Sequence, residues 1–141
     1  MSQKIRKHFK KIYPIKSPAL KETLRTHSGN VPLNISQEDR ISFSVLRNEN
    51  NKIRKIENVS YEMSIHNKWE WIVRYDDHGG SGYIHRHYRL SLKDNSDIVS
   101  VAGIKRYSNK NYGLTWIFKD IKRNYIIFRS KFLKKMGLDL Y

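Results

Sequence analysis

The sequence predicts an α+β fold. The expected architecture is an antiparallel meander of four to five strands, with a long C-terminal helix packed on one face and a basic helical arm at the N-terminus. Two changes of hydrophobic period carry this reading. Apolar residues alternate with polar ones from Arg40 to about Leu92, in short runs separated by turn-sized polar gaps. From Leu114 onward they recur every three or four residues instead, as one face of an amphipathic helix requires. The division expected from this is a basic arm with short helices over residues 1–39 and an α+β domain over residues 40–141.

Ser2 to Tyr13 places Ile5, Phe9, Ile12 and Tyr13 at helical spacing among Lys4, Arg6, Lys7, Lys10 and Lys11, and Pro14 ends it. A second helix is predicted from Ser17 as N-cap and Pro18 as first helical residue through Arg25, with Gly29 beyond its end. Ile41, Phe43 and Val45 then alternate with Ser42 and Ser44 as a half-buried strand. After the polar turn Asn48–Asn51, a longer strand runs from about Lys52 to Ile65 with Val59, Tyr61, Met63 and Ile65 on one side. Trp69, Trp71, Val73 and Tyr75 read as the inward row of the next strand. The glycine-rich stretch Asp77–Gly82 reads as a hairpin loop, and a further strand runs from Tyr83 to about Leu92. Ile98 to Gly103 adds a fifth short strand. Leu114, Ile117, Ile121, Tyr125, Phe128, Phe132 and Met136 form the helical stripe that ends near Gly137. Trp116, like Trp69 and Trp71, is expected in the core rather than as a base-stacking ring.

The chain has 141 residues, enough for one domain and an arm. It contains no cysteine, which excludes disulfides, cysteine zinc fingers, iron–sulfur clusters and a thiol nucleophile. Lys and Arg number 28 against 13 Asp and Glu, a formal charge of +15, and the excess sits at the two ends. Residues 1–25 carry eight basic groups against Glu22 alone, residues 104–141 carry ten against Asp120 and Asp139, and the intervening stretch is neutral. Segregated positive charge points to a polyanion, RNA ahead of DNA and both ahead of a membrane surface. No apolar run reaches the ~18 residues a membrane helix needs, and no signal-peptide stretch is present. A cytoplasmic protein is expected. The residues assigned to phosphate contact are Lys4, Arg6, Lys7, Lys10, Lys11, Arg89, Lys119, Lys122, Arg123, Arg129, Lys131, Lys134 and Lys135.

A histidine hairpin interrupts the neutral middle. Strand alternation puts Ile84, Arg86 and Tyr88 toward the core and His85, His87 and Arg89 on the solvated face, with Asp76, Asp77 and His78 folding back beside them. Three chemistries fit. Two histidines can cleave RNA without metal, one taking the 2′-hydroxyl proton and the other protonating the leaving 5′-oxygen. Arg86 or Arg89 would then stabilise the phosphate and Tyr75 or Tyr83 would position the substrate. Alternatively, His85 and His87 with His78 or Asp76 hold zinc, manganese or iron. In the third reading they only shape a basic groove.

The run Arg74–Tyr75–Asp76–x–His78–Gly79 followed by His85–Arg86–His87 resembles the signature of a small prokaryotic domain family with an "RYD…HG…HRH" hairpin and a downstream helix, here Leu114–Ile121. It is similar, more loosely, to the hairpin of TumE-type toxins of toxin–antitoxin pairs. The resemblance covers roughly residues 40–136 and implies a toxin-like, nucleic-acid-acting role with an antitoxin or ribonucleoprotein partner. The resulting expectation is a basic RNA-acting protein, a ribonuclease with His85, His87, His78, Arg86, Asp76 and Tyr75 at its site and no cofactor. The alternative is a non-catalytic nucleic-acid-binding module.

Overall fold

The computed structural model describes residues 22–77 and 82–137, with residues 100–106 described by their backbone. Among the described residues six strands precede one helix: β1 (Arg25–Pro32), β2 (Asp39–Arg47), β3 (Ile53–Ile65), β4 (Lys68–Asp76), β5 (Tyr83–Arg89), β6 (Asp97–Arg106) and α1 (Lys110–Met136). The strands lie side by side in chain order, each antiparallel to the next. The α+β class and the meander are as the periodicity requires, with one strand more than expected at the N-terminal end. Glu22 to Leu24 are not helical and Arg25 opens β1, so the helix read from Ser17 to Arg25 does not extend through its last residues. The rest of that helix and the arm before it lie outside the described residues. Pairing explains the difference. All eight residues of β1 align with β2, from Arg25 opposite Arg47 to Pro32 opposite Arg40. Gly29 is no helix stop but a close approach: a Cβ there would come within 3.0 Å of the Phe43 ring.

The side of the sheet that faces α1 is apolar. Ile41, Val45, Val59, Tyr61, Met63, Val73, Tyr75 and Ile84 are buried there against Ile117, Ile121, Phe128 and Phe132 of the helix. Each such aliphatic side chain contributes about 1.5–3 kcal/mol relative to exposure. His66 and Asn67, both at positive φ, make the tight turn between β3 and β4. Between Tyr61 and Glu62 the pairing slips, so that Tyr61 faces Val73 and Glu62 faces Trp71, leaving Ile72 as an extra residue in β4. That bulge reverses the parity of everything before it. Val73 and Tyr75 point inward as expected, but Trp69 and Trp71 do not join their row. Trp69 is 39% exposed and Trp71 half-buried, on the side away from the helix. The core row read as Trp69–Trp71–Val73–Tyr75 is thus two rows, joined at the bulge.

Helix α1 begins at Asn109, whose side chain accepts from the backbone N–H groups of Asn111 (2.9 Å) and Tyr112 (3.4 Å). It ends at Gly137, whose φ of 63° supplies the left-handed cap that a side chain would resist. Two polar clamps fix it to the sheet. On one flank Asp120 accepts from the Tyr75 hydroxyl at 2.6 Å and from Arg86, while its other oxygen accepts from Asn124 at 2.9 Å. On the other flank Asp39, fully buried, accepts from the Tyr61 hydroxyl, from Asn34 (2.6 Å) and from Arg129 (2.8 Å). The clamps are reciprocal: one takes its carboxylate from the helix and its arginine from the sheet, the other the reverse.

Burial first, and the bonds to Asp39 and Asp120 next, push the Tyr61 and Tyr75 phenols far above their ordinary range. A phenol held protonated in the fold but free to ionise in the unfolded chain stabilises the fold fully below about pH 10 and progressively less above it. Alkaline unfolding is therefore expected to begin near that pH and to steepen by about 1.4 kcal/mol per pH unit for each clamp tyrosine. In a spectrophotometric titration, two of the nine tyrosines should ionise only as the fold is lost. Independent ionisation of all nine ahead of unfolding would contradict this.

Candidate functional site

The face of the sheet turned away from α1 collects the histidines. Arg74 lies opposite His87 and Asp76 opposite His85 in the β4–β5 register, and all four share this face because their neighbours Tyr75, Arg86 and Tyr88 face the helix. The His87 ring is held at both ends. Its Nδ1 is 2.8 Å from an Asp97 carboxylate oxygen, and its Nε2 is 3.1 Å from one of Asp76. The same Asp97 oxygen accepts from the Arg74 guanidinium at 3.3 Å. Because an ionised carboxylate can only accept, both ring contacts are hydrogen bonds together only while the imidazole carries both protons. The three side chains are 12%, 20% and 26% exposed for His87, Asp97 and Asp76, so solvent reaches both carboxylates. His85 is half-buried beside them on the same strand.

Of the residues expected at this site, His85, His87 and Asp76 come together. Tyr75 and Arg86 do not. They lie on the opposite face, where Arg86 bonds Asp120 and Tyr88 (2.7 Å) and sits over the rings of Tyr75, Tyr88 and Phe128. Burial works against the Arg86 charge, yet Tyr75, Tyr88 and Asp120 together hold it even more firmly protonated. It is a clamp residue, with no path to a phosphate near the histidines. Arg89 is likewise spent: 7% exposed, it bonds Glu70 at 2.7 Å and the carbonyls of Ser91, Asp94 and Trp71. Asp77, 1% exposed, pairs with Lys110 at the start of α1 (2.7 Å). His78 lies outside the described residues. Among the described residues no group of three His, Asp or Glu side chains is placed to hold a metal ion.

Asp97 and Arg74 are site residues that the sequence reading does not single out. Arg74 shares the parity of Asp76, a signal available in the strand pattern. Asp97 is four residues beyond the turn-forming Lys93 and meets His87 on a diagonal, which only the β5–β6 register reveals.

The cations divide by face as well. Lys119, Lys122, Arg123, Lys131, Lys134 and Lys135 of α1 are exposed. Arg129 is not one of them, since it is consumed by Asp39. Lys4, Arg6, Lys7, Lys10 and Lys11 lie outside the described residues. The exposed helix cations and the histidines therefore occupy opposite sides of the sheet. Among the described residues, no helix is long and apolar enough to cross a membrane.

Architecture and site together define an α+β protein in which a single helix backs a six-stranded antiparallel meander whose other face carries an Asp–His–Asp chain. Residues 27–138 match the family model described as Domain of unknown function (DUF7718), and the chain belongs to that family. The match starts inside β1, in keeping with that strand's full pairing to β2. No curated protein and no solved structure matches the chain.

Proposed function

We propose that the protein is a basic RNA-acting protein that captures its ligand by the phosphate backbone along the exposed face of α1. One observation carries this reading. The only acidic residue between Lys110 and Met136 is Asp120, and it is turned inward and bonded to Tyr75, Arg86 and Asn124. The outward cations consequently face solvent with no helix carboxylate among them. A mixed-sign surface would serve solubility; a single-sign stripe over a 27-residue helix serves a polyanion. Replacing Lys119, Lys122 and Arg123 with glutamine should leave the fold intact, because all three are exposed. RNA binding should weaken, and the slope of log affinity against log salt should fall by about 1 for each phosphate no longer neutralised. An unchanged slope in a salt titration would reject the helix as the capture surface.

A second reading adds chemistry, and the Asp97–His87–Asp76 chain favours it. With a carboxylate on each nitrogen, His87 suits the doubly protonated donor. His85 would take the 2′-hydroxyl proton as that oxygen attacks phosphorus. His87, its Nε2 released by the outer Asp76, would protonate the departing 5′-oxygen, leaving a 2′,3′-cyclic phosphate and a 5′-hydroxyl. The need for a 2′-hydroxyl is what favours RNA over DNA. A ribonuclease of this kind belongs with toxin-type enzymes, and an antitoxin would be its protein partner. The non-catalytic module remains the alternative in which the same chain only braces β4, β5 and β6.

A further inference from the structure

The bulge at Ile72 has placed two indoles on the histidine face, and each carries a guanidinium. The Arg40 guanidinium lies over the Trp69 ring at 4.0 Å, and those of Arg74 and the buried Arg89 over Trp71 at 4.6 and 5.3 Å. Arg40 and Arg74 are each tethered by one carboxylate, Arg40 to Glu62 at 2.7 Å and Arg74 to Asp97 at 3.3 Å. Their side chains remain 24% and 35% exposed, so part of each five-donor fork faces outward from this side of the sheet. We infer that this open face is a second nucleic-acid surface, specific for the bases of unstacked single-stranded RNA. It rests on the reading of the protein as RNA-acting, and adds a surface distinct from the helix.

Three features commit the face to that occupant. Flat π-cation stacks receive nucleobases of any identity, and the guanidinium donors not taken by Glu62 and Asp97 suit the phosphates between them, so stacking rather than net charge selects the occupant of this face. Trp69 and Trp71 stand two residues apart in one strand, ~7 Å by its rise. Adjacent bases within a duplex strand are only ~3.4 Å apart, so the two stacks fit neighbouring bases only when these are pulled out of a helix. Finally, Arg74 links the stacks to the histidines, since the Asp97 oxygen that it donates to also bonds His87 Nδ1. A single strand lying on Trp69 and Trp71 would continue directly toward His87 and His85. A duplex bound along α1 would lie on the far side of the sheet.

Tryptophan fluorescence tests this on the full chain, with a short oligouridylate and an RNA duplex as probes. Of the three tryptophans, Trp116 is packed against Tyr75 and Tyr107, which leaves Trp69 and Trp71 as the reporters. The expected result is quenching by oligouridylate and none by the duplex. Trp69→Ala should weaken oligouridylate binding about 5- to 150-fold, the range for loss of one base–aromatic stack. Trp69→Phe should restore most of it, which separates stacking from a folding defect, and the helix variant with glutamine at positions 119, 122 and 123 should still be quenched. Salt-sensitive binding of both probes with unchanged fluorescence and a neutral Trp69→Ala would overturn the base platform while leaving the helix surface standing. Failure of both probes to bind at low salt would overturn both.

Discussion

Replacing Asp39 with alanine is expected to cost the fold about 3–5 kcal/mol, as removal of one partner from a buried ion pair does. Asp39 has no exposed surface and answers three donors at once: the Tyr61 hydroxyl, the Asn34 amide and the Arg129 guanidinium. Alanine would take from Arg129, whose side chain is only 15% exposed, its buried carboxylate, leaving Glu38 at 3.9 Å, and would deprive a desolvated phenol of its acceptor. Against a typical net stability of about 5–15 kcal/mol, that is a large fraction of the total. For a domain of this size the midpoint of thermal unfolding should drop on the order of 10–20 °C, read by circular dichroism. Pairing Asp39→Leu with Arg129→Met removes both charges and should recover much of the loss. A fall of only a degree or two in Asp39→Ala would show that the clamp does not hold the helix.

This clamp also marks where sequence reading runs out. Arg129 lies within a helix rich in lysine and arginine, and by composition it belongs with the phosphate-binding cations. Only the three-dimensional meeting of residue 39 with residue 129 reassigns it. Arg86 and Arg89 change roles for the same reason, each meeting a carboxylate, Asp120 and Glu70, that is remote in the chain. The strands from Asp39 onward and α1 from Leu114 are legible because a period of two, or of three to four, survives wherever one face is buried. The row through Trp69 and Trp71 misleads because one extra residue in a strand inverts every side chain beyond it, and nothing local to Ile72 announces a bulge. Strand β1 escapes the pattern for a different reason. It is an edge strand, seven of whose residues are polar, small or proline, so pairing rather than alternation makes it a strand.

The candidate site is half legible. Alternation alone puts His85 and His87 on one face and Arg86 on the other, and the register then brings Asp76 alongside. What alternation cannot give is the identity of the group on His87 Nδ1. That group decides which chemistry the ring can do, because a carboxylate there orients the imidazole and fixes which nitrogen faces Asp76. The charge distribution is legible as a count but not as a direction. Of its ten C-terminal cations, six are exposed on the helix, facing away from the histidines, while the histidine face pairs its cations with Glu62, Glu70, Asp76 and Asp97. Electrostatic capture and histidine chemistry are therefore properties of two surfaces, and they can be removed one at a time.

That separation gives the ribonuclease reading its sharpest test. Replacing His85 and His87 together with alanine should abolish cleavage of a labelled RNA, each general acid–base group being worth about 10²–10⁴-fold. Binding through the helix should persist within a few-fold, because Lys119, Lys122, Arg123 and their neighbours are untouched and lie across the sheet. His87→Ala alone leaves Asp76 and Asp97 without the imidazole between them, so some loss of stability is expected from that position. His87→Gln, which keeps a donor for one carboxylate, should recover stability without recovering turnover. His85→Ala touches neither carboxylate contact described for His87, and a loss of turnover there at unchanged melting temperature would assign the effect to chemistry. Asp97→Asn provides the intermediate case, since it keeps an acceptor at Nδ1 but removes the carboxylate charge there. It should slow cleavage more than it weakens binding. Cleavage that survives the double alanine variant at the wild-type rate would sink the ribonuclease assignment and leave the helix as the functional surface.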